Sequence, residues 1–176
     1  MRIRIVGTVI LLAIVAVFWL ADEAHAYDEW SGGCKATVSI SPEAQAVYGP
    51  EIGSALGRVS QATGIEFRSG DAPDITFLVA DVSWIGPTVL GAYDYGAHTI
   101  TLIPVVPPAW DGQRARQYEN MRQRLVLHEV LHWLGLQHDA SPHEVMYPTI
   151  IDDAPRLGAS DRMGLRAAAI ANGCAA

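Results

Sequence analysis

The segment from His128 to His138 constrains this chain more than any other stretch. It carries histidines at 128, 132 and 138, Glu129 directly after the first, and Gly135 between the second and third. Residues four apart share a helix face, so His128 and His132 project side by side and can hold one ion. Glu129 is turned about 100° around the helix axis. It stays off the ligand face yet reaches the ion's open position, where a carboxylate can take a proton from metal-activated water. A helix continuing through Gly135 would carry His138 away. A left-handed glycine instead ends the helix and reverses the chain, so that His138 returns as a third ligand. Three imidazoles with one open position make the catalytic kind of zinc site, because structural sites are closed by four protein ligands. One Zn2+ is expected. His98 and His143 are isolated and read as structural or solvated.

Such a site needs a core behind it. The chain has 176 residues, 50% of them hydrophobic and 18% charged, enough for one globular domain. Residues 1–26 are set apart from that domain. Arg2 and Arg4 precede an apolar run, Ile5 to Leu20, and Ala24-His25-Ala26 is a small-x-small cleavage pattern. These features predict a secretory signal peptide cleaved after Ala26, leaving residues 27–176 as the catalytic domain. The alternative is an uncleaved anchor, although roughly 16 apolar residues fall short of the roughly 20 that span a bilayer. A secreted, extracellular protein is expected, or a membrane-anchored one if the segment is retained. The net charge of −7 and the scarcity of lysine argue against nucleic acid and anionic membrane surfaces as partners. Cys34 and Cys174 are the only cysteines, and in an exported chain such a pair predicts a disulfide. The other reading is two unpaired small hydrophobes.

Alternation predicts strands over Lys35–Ile40 and Ile65–Arg68, and Val89–Tyr95 reads as a strand turning through Gly96-Ala97 into His98–Ile103 as a hairpin. The apolar run Ile75–Ala80 reads as a buried central strand. Ser41-Pro42 breaks the first strand, and Ile52, Leu56 and Val59 mark a helix over Glu51–Ala62 that Gly64 terminates. Trp84–Thr88 is a Gly/Pro loop, and Pro104, Pro107 and Pro108 end regular structure. Asp111 is a candidate cap for one long helix, Gln113–Leu134, charged at its start and apolar at its end. The chain is irregular after Gly135 until Ser160-Asp161 caps a last helix, Arg162–Ala171. Together these elements predict an α+β, or mixed α/β, single domain.

On the His128–His138 motif the sequence resembles the metzincin zinc endopeptidases. Val145-Met146-Tyr147-Pro148 is similar to the Met-turn of their matrixin branch, and the resemblance makes Met146 the Met-turn residue. Pro148 stands where astacin-type enzymes carry a zinc-reaching tyrosine, so Tyr147 is not assigned as a ligand. Leu157 to Leu165 is similar to the matrixin Leu-Ser-x-Asp-Asp-x-x-Gly-Ile segment, with Asp161 matching its second Asp and Ser160 replacing the first. Pro148-Thr149-Ile150 departs from the family's pocket wall, and Asp139 is more like the adamalysin branch. No cysteine-switch propeptide and no calcium or second zinc site is carried over. The resemblance implies a twisted, mostly parallel sheet with an antiparallel edge strand, a long active-site helix and a C-terminal helix. It also implies a zinc metalloendopeptidase with Glu129 as general base, a monomer acting on peptide or protein substrate. Val89–Tyr95 would be the strand on which extended substrate lies, or else an ordinary hairpin strand. A second reading keeps the scaffold as a non-catalytic, zinc-containing binding or adhesion domain. Pocket depth depends on how Arg124 and Ile150 pack.

Overall fold

The computed structural model describes residues 30, 32–80, 90–104, 112–149 and 156–174, with the backbone alone over 112–118. The readings of residues 1–26, the Trp84–Thr88 loop, Pro107, Pro108, the Asp111 cap and Ile150 lie outside the described residues. In chain order the elements are β1 (Lys35–Ile40), α1 (Pro42–Thr63), β2 (Glu66–Ser69), β3 (Ile75–Val79), β4 (Gly91–Asp94), β5 (Thr99–Leu102), α2 (Gly112–Trp133) and α3 (Ala159–Ala171). The five strands form one sheet in the order β2-β1-β3-β5-β4. All neighbours are parallel except β4 and β5. The fold is thus the mixed α/β arrangement expected, with β4 as its antiparallel edge.

Register explains why only one face of the sheet is apolar. Val38 lies opposite Ile75, and Ile40, Phe77 and Ile100 line up across three strands. Alternate positions, Ala36 and Val38, Ile75 and Phe77, Ile100 and Leu102, are therefore buried together beneath α1 and α2. The opposite face carries Thr37, Ser39, Thr76, Thr99 and Thr101. The run Ile75–Ala80 is central, as expected, but it is buried on one face only, and Leu78 is 38% exposed. Among the described residues no helix covers that second face, so the apolar run is not evidence of two-sided burial here.

Helix α1 starts nine residues earlier than expected, at Pro42 rather than Glu51. Ser41 is its N-cap, its hydroxyl accepting from the Ala44 N–H at 3.1 Å, and Pro42 stands where a helix needs no N–H. Pro50 lies within the helix and ought to break it. Packing overrides that preference, because Ala44, Tyr48, Ile52, Ala55 and Val59 form one buried face that runs straight past it. Tyr48 also donates its hydroxyl to the Ile103 carbonyl at 2.9 Å, and the Arg122 guanidinium lies 4.5 Å over its ring. Arg122 pairs with Glu51 at 3.1 Å, joining α1 to the polar half of α2.

The apolar half of α2 enters the core as expected, with Leu125, Val126, Leu127, Val130, Leu131 and Trp133 buried. Trp133 packs against Trp30 and Phe67 and donates its indole N–H to the Asp74 carbonyl at 3.1 Å. This fixes the end of the helix that carries the histidines. α3 packs on α1, and a disulfide between Cys34 and Cys174 ties its far end to the start of β1, across 140 residues of chain. Closing so long a loop restricts the unfolded chain. Replacing both cysteines by serine is expected to cost about 4–5 kcal/mol. Urea unfolding of the oxidised protein and the double variant measures it, and equal midpoints would mean that the bond adds nothing.

Candidate metal centre

The reversal at the end of α2 builds most of the site. Gly135 adopts φ 87, in the left-handed region open to glycine. The Leu136 N–H then bonds back to the Leu131 carbonyl at 3.1 Å, a Schellman-type closure. The same turn brings the Leu136 carbonyl to 2.8 Å from His132 Nδ1. His128 Nδ1 lies 2.8 Å from the Val145 carbonyl. A carbonyl can only accept, so both Nδ1 atoms carry the proton and both Nε2 atoms present lone pairs. Chain reversal returns His138 to the same point. The three Nε2 atoms form a triangle with edges of 3.1–3.2 Å.

With both Nδ1 atoms protonated, neutral His128 and His132 have no proton to share between their Nε2 atoms. Their 3.1 Å approach is therefore not a hydrogen bond but a convergence of lone pairs on a common centre. Nitrogens at about 2.0–2.1 Å from a tetrahedral zinc stand about 3.3 Å apart, close to the edges of this triangle. The donor set fits the ion, and among the described residues it is the one group of three or more such ligands close enough to share one. Burial holds His128 down at about 3 and His132 at about 4, with neighbouring imidazoles adding to it, and burial also lowers His138. All three are neutral bases near pH 7, the form in which an imidazole can bind a metal.

Glu129 is buried and faces the edge strand. The Ile103 N–H donates to the Leu90 carbonyl, so antiparallel alternation turns the polar groups of Gly91 and Tyr93 away from β5. The Tyr93 backbone N–H donates to the Glu129 carboxylate. Burial pushes this carboxyl up to about 8, against the effect of that hydrogen bond. A divalent cation beside it would favour the ionised form. Glu129 thus stands between the imidazoles and the edge of β4 that no described strand pairs, in an open cleft of about 540 Å³ also lined by Leu125, Tyr95, Gln137 and Thr149. Tyr93 was not singled out from the sequence, because its role is a backbone one set by strand register.

Met146 is 2% exposed, in a turn closed by the Asp139 N–H bonding to the Met146 carbonyl at 2.9 Å. The Asp161 carboxylate accepts the N–H groups of Val145 at 2.7 Å and Met146 at 3.2 Å. Asp161 is therefore not the simple helix cap expected with Ser160. Helix α3 begins at Ala159, and Asp161 reaches back from its first turn to the Met146 turn and to the Gly158 N–H. Arg124 is buried and donates to the carbonyls of Pro142 and Glu144, so it supports this turn from below and does not line the cleft. Glu144 and Arg124 acquire these roles only through contacts between distant segments.

A family model described as Matrixin matches residues 107–168, roughly a third of the chain. The span contains all three imidazoles, Glu129, Met146 and Asp161. No curated protein matches the chain. The match supports a metzincin-like, matrixin-like family, which the mostly parallel sheet with its antiparallel edge strand also fits. Together with the three-histidine cluster it supports a zinc-metallopeptidase type of hydrolase.

The depressed imidazoles set the sign of an acid effect in metal-free protein. Unfolded histidines take up protons near 6.5, whereas His128 and His132 stay neutral to about 3 and 4 in the fold. Acid therefore favours the unfolded chain, and stability falls as pH drops below 6.5, on the order of 1 kcal/mol per pH unit for each imidazole. Urea midpoints in chelator at pH 7 and pH 5 should differ less for His128→Gln than for wild type. An identical difference would show that His128 titrates normally in the fold.

Proposed function

We propose that this chain is a secreted zinc metalloendopeptidase, with His128, His132 and His138 as the metal ligands and Glu129 as general base. The observation that carries the reading is the pairing of a convergent Nε2 triangle with a buried carboxylate held at a strand edge that no described strand pairs. A structural zinc site has no use for that carboxylate. Zinc bound there would polarise the scissile carbonyl and acidify the attacking water.

The chain's own groups account for the remainder. An extended peptide adds to β4 through the outward polar groups of Gly91 and the Tyr93 carbonyl. This lays its scissile bond across Glu129. The Glu129 carboxylate, aimed by the Tyr93 N–H, accepts a proton from the attacking water at a carboxylate oxygen. It then delivers that proton to the leaving amine. His128 and His132 stay oriented throughout because their Nδ1–H groups are spent on backbone carbonyls. Leu125, Pro148 and Thr149 line the cleft near Glu129 and shape what side chain it accepts. Met146 gives buried apolar support under the site, and residues 1–26 serve as an export signal, consistent with the disulfide.

Zinc content and cleavage of a mixed peptide library, wild type against Glu129→Ala, test the reading. The variant is expected to keep its zinc and lose cleavage by about 100-fold or more. Equal cleavage by the two proteins, or a zinc-free wild type, would sink it. A zinc-loaded wild type that cuts nothing would favour a binding domain instead. N-terminal sequencing of the exported product is expected to begin at Tyr27; a product that retains Met1–Ala26 is an anchored protein.

A further inference from the structure

Glu144 is buried, and its carboxylate contacts no basic side chain among the described residues. Its two oxygens accept the N–H groups of Ala159 and Asp161, each at 3.0 Å, so a residue of the Met146 turn caps α3. Asp161 reciprocates from α3 to the N–H groups of Val145, Met146 and Gly158. Five backbone N–H groups are thus satisfied by two carboxylates that cross between the turn and the helix. Burial and then the Glu144 charge push the Asp161 carboxyl up while its three N–H partners oppose this. The two acids are held together despite their repulsion.

This arrangement immobilises two consecutive peptide planes. In the first, the Glu144 carbonyl accepts from Arg124 and the Val145 N–H donates to Asp161. In the second, the Met146 N–H donates to Asp161 and the Val145 carbonyl accepts from His128 Nδ1. Gly158 is part of the same device. A Cβ added there would stand 2.0 Å from the Glu144 carboxylate, so the close approach itself requires glycine.

We propose that Glu144 is a positioning residue for His128: by capping α3 opposite Asp161 it completes a two-carboxylate clamp that holds the Val145 carbonyl on His128 Nδ1–H and keeps Nε2 facing the metal position. The proposal rests on reading the three imidazoles as a metal site, but the tautomer of His128 can be read without metal. A helix cap that served α3 alone would leave that tautomer unchanged.

The experiment uses the folded, disulfide-bonded protein as wild type, Glu144→Ala, Glu144→Gln and Gly158→Ala. Ala168→Gly loosens α3 away from the clamp and serves as control. Imidazole nitrogen chemical shifts are recorded on the metal-free proteins, and zinc affinity is measured by competition with a chelator. Wild type should show His128 as the single Nδ1–H tautomer. Glu144→Ala and Gly158→Ala should show a mixture and bind zinc about 10–100-fold more weakly. Glu144→Gln keeps one acceptor oxygen and should fall between, and it carries the comparison if Glu144→Ala does not fold. A single tautomer with zinc affinity within about twofold of wild type in the Glu144 variants would overturn the proposal. So would an equal effect from Ala168→Gly. A wild type that binds no zinc would defeat the peptidase reading, while the tautomer comparison would still judge Glu144.

Discussion

Three imidazole Nε2 atoms brought within 3.1–3.2 Å of one another is the constraint on which this structure depends. Without a cation the bare Nε2 atoms of His128 and His132 repel, so the fold must hold them together from outside. It does so with two carbonyls, Leu136 O on His132 and Val145 O on His128, that take the Nδ1 protons and leave both Nε2 atoms bare. Each carbonyl comes from a chain reversal. The first is the Gly135 turn, local to the histidine helix. The second is the Met146 turn, and it must be brought from farther along the chain. The order of the last third of the molecule follows: helix, reversal, third ligand, closing turn, supporting helix.

The electrostatics of the region reinforce this division. Burial favours neutral imidazoles, which suits metal binding, but it also penalises two carboxylates, Glu129 and Asp161. Backbone N–H groups compensate them more than cations do. Tyr93 serves Glu129, the start of α3 serves Glu144, and the Met146 turn serves Asp161. Ordered N–H donors stabilise a charge without adding one. Arg124, the buried cation nearby, is spent on carbonyls.

The parts legible in the sequence are those that spacing alone determines. His128, Glu129 and His132 are related by helical geometry, and Gly135 signals the stop, so the convergence of the three imidazoles needed no knowledge of distant contacts. Alternation, one apolar run and a hairpin turn likewise located the five strands to within two residues. Misreadings arose where tertiary packing overruled a local signal. Tyr48-Gly49-Pro50 looks like a break, yet Tyr48 and Ile52 bury on one face and the helix runs through. Ser160-Asp161 looks like a simple cap, yet Asp161 divides its carboxylate between the Gly158 N–H and the Met146 turn, and Glu144 accepts the N–H groups of Ala159 and Asp161. Gly158 shows no positive φ, so nothing local marks it. Its need for glycine is a matter of what approaches it.

The helix that no ligand occupies therefore carries much of the site's precision. α3 is secured at its far end by Cys174, bonded to Cys34 at the start of β1, and at its near end by the exchange between Glu144 and Asp161. Its middle is packed through Leu165, Ala168 and Ala169. A turn held only by its own hydrogen bonds would open locally at little cost, as surface turns do. A turn bonded to a helix that is itself pinned at both ends can open only by breaking several contacts together. The Val145 carbonyl inherits that rigidity and passes it to His128. The orientation of His128 is then set by a helix some thirty residues further along the chain, and a cation bound there would meet a site whose ordering cost the fold has already met.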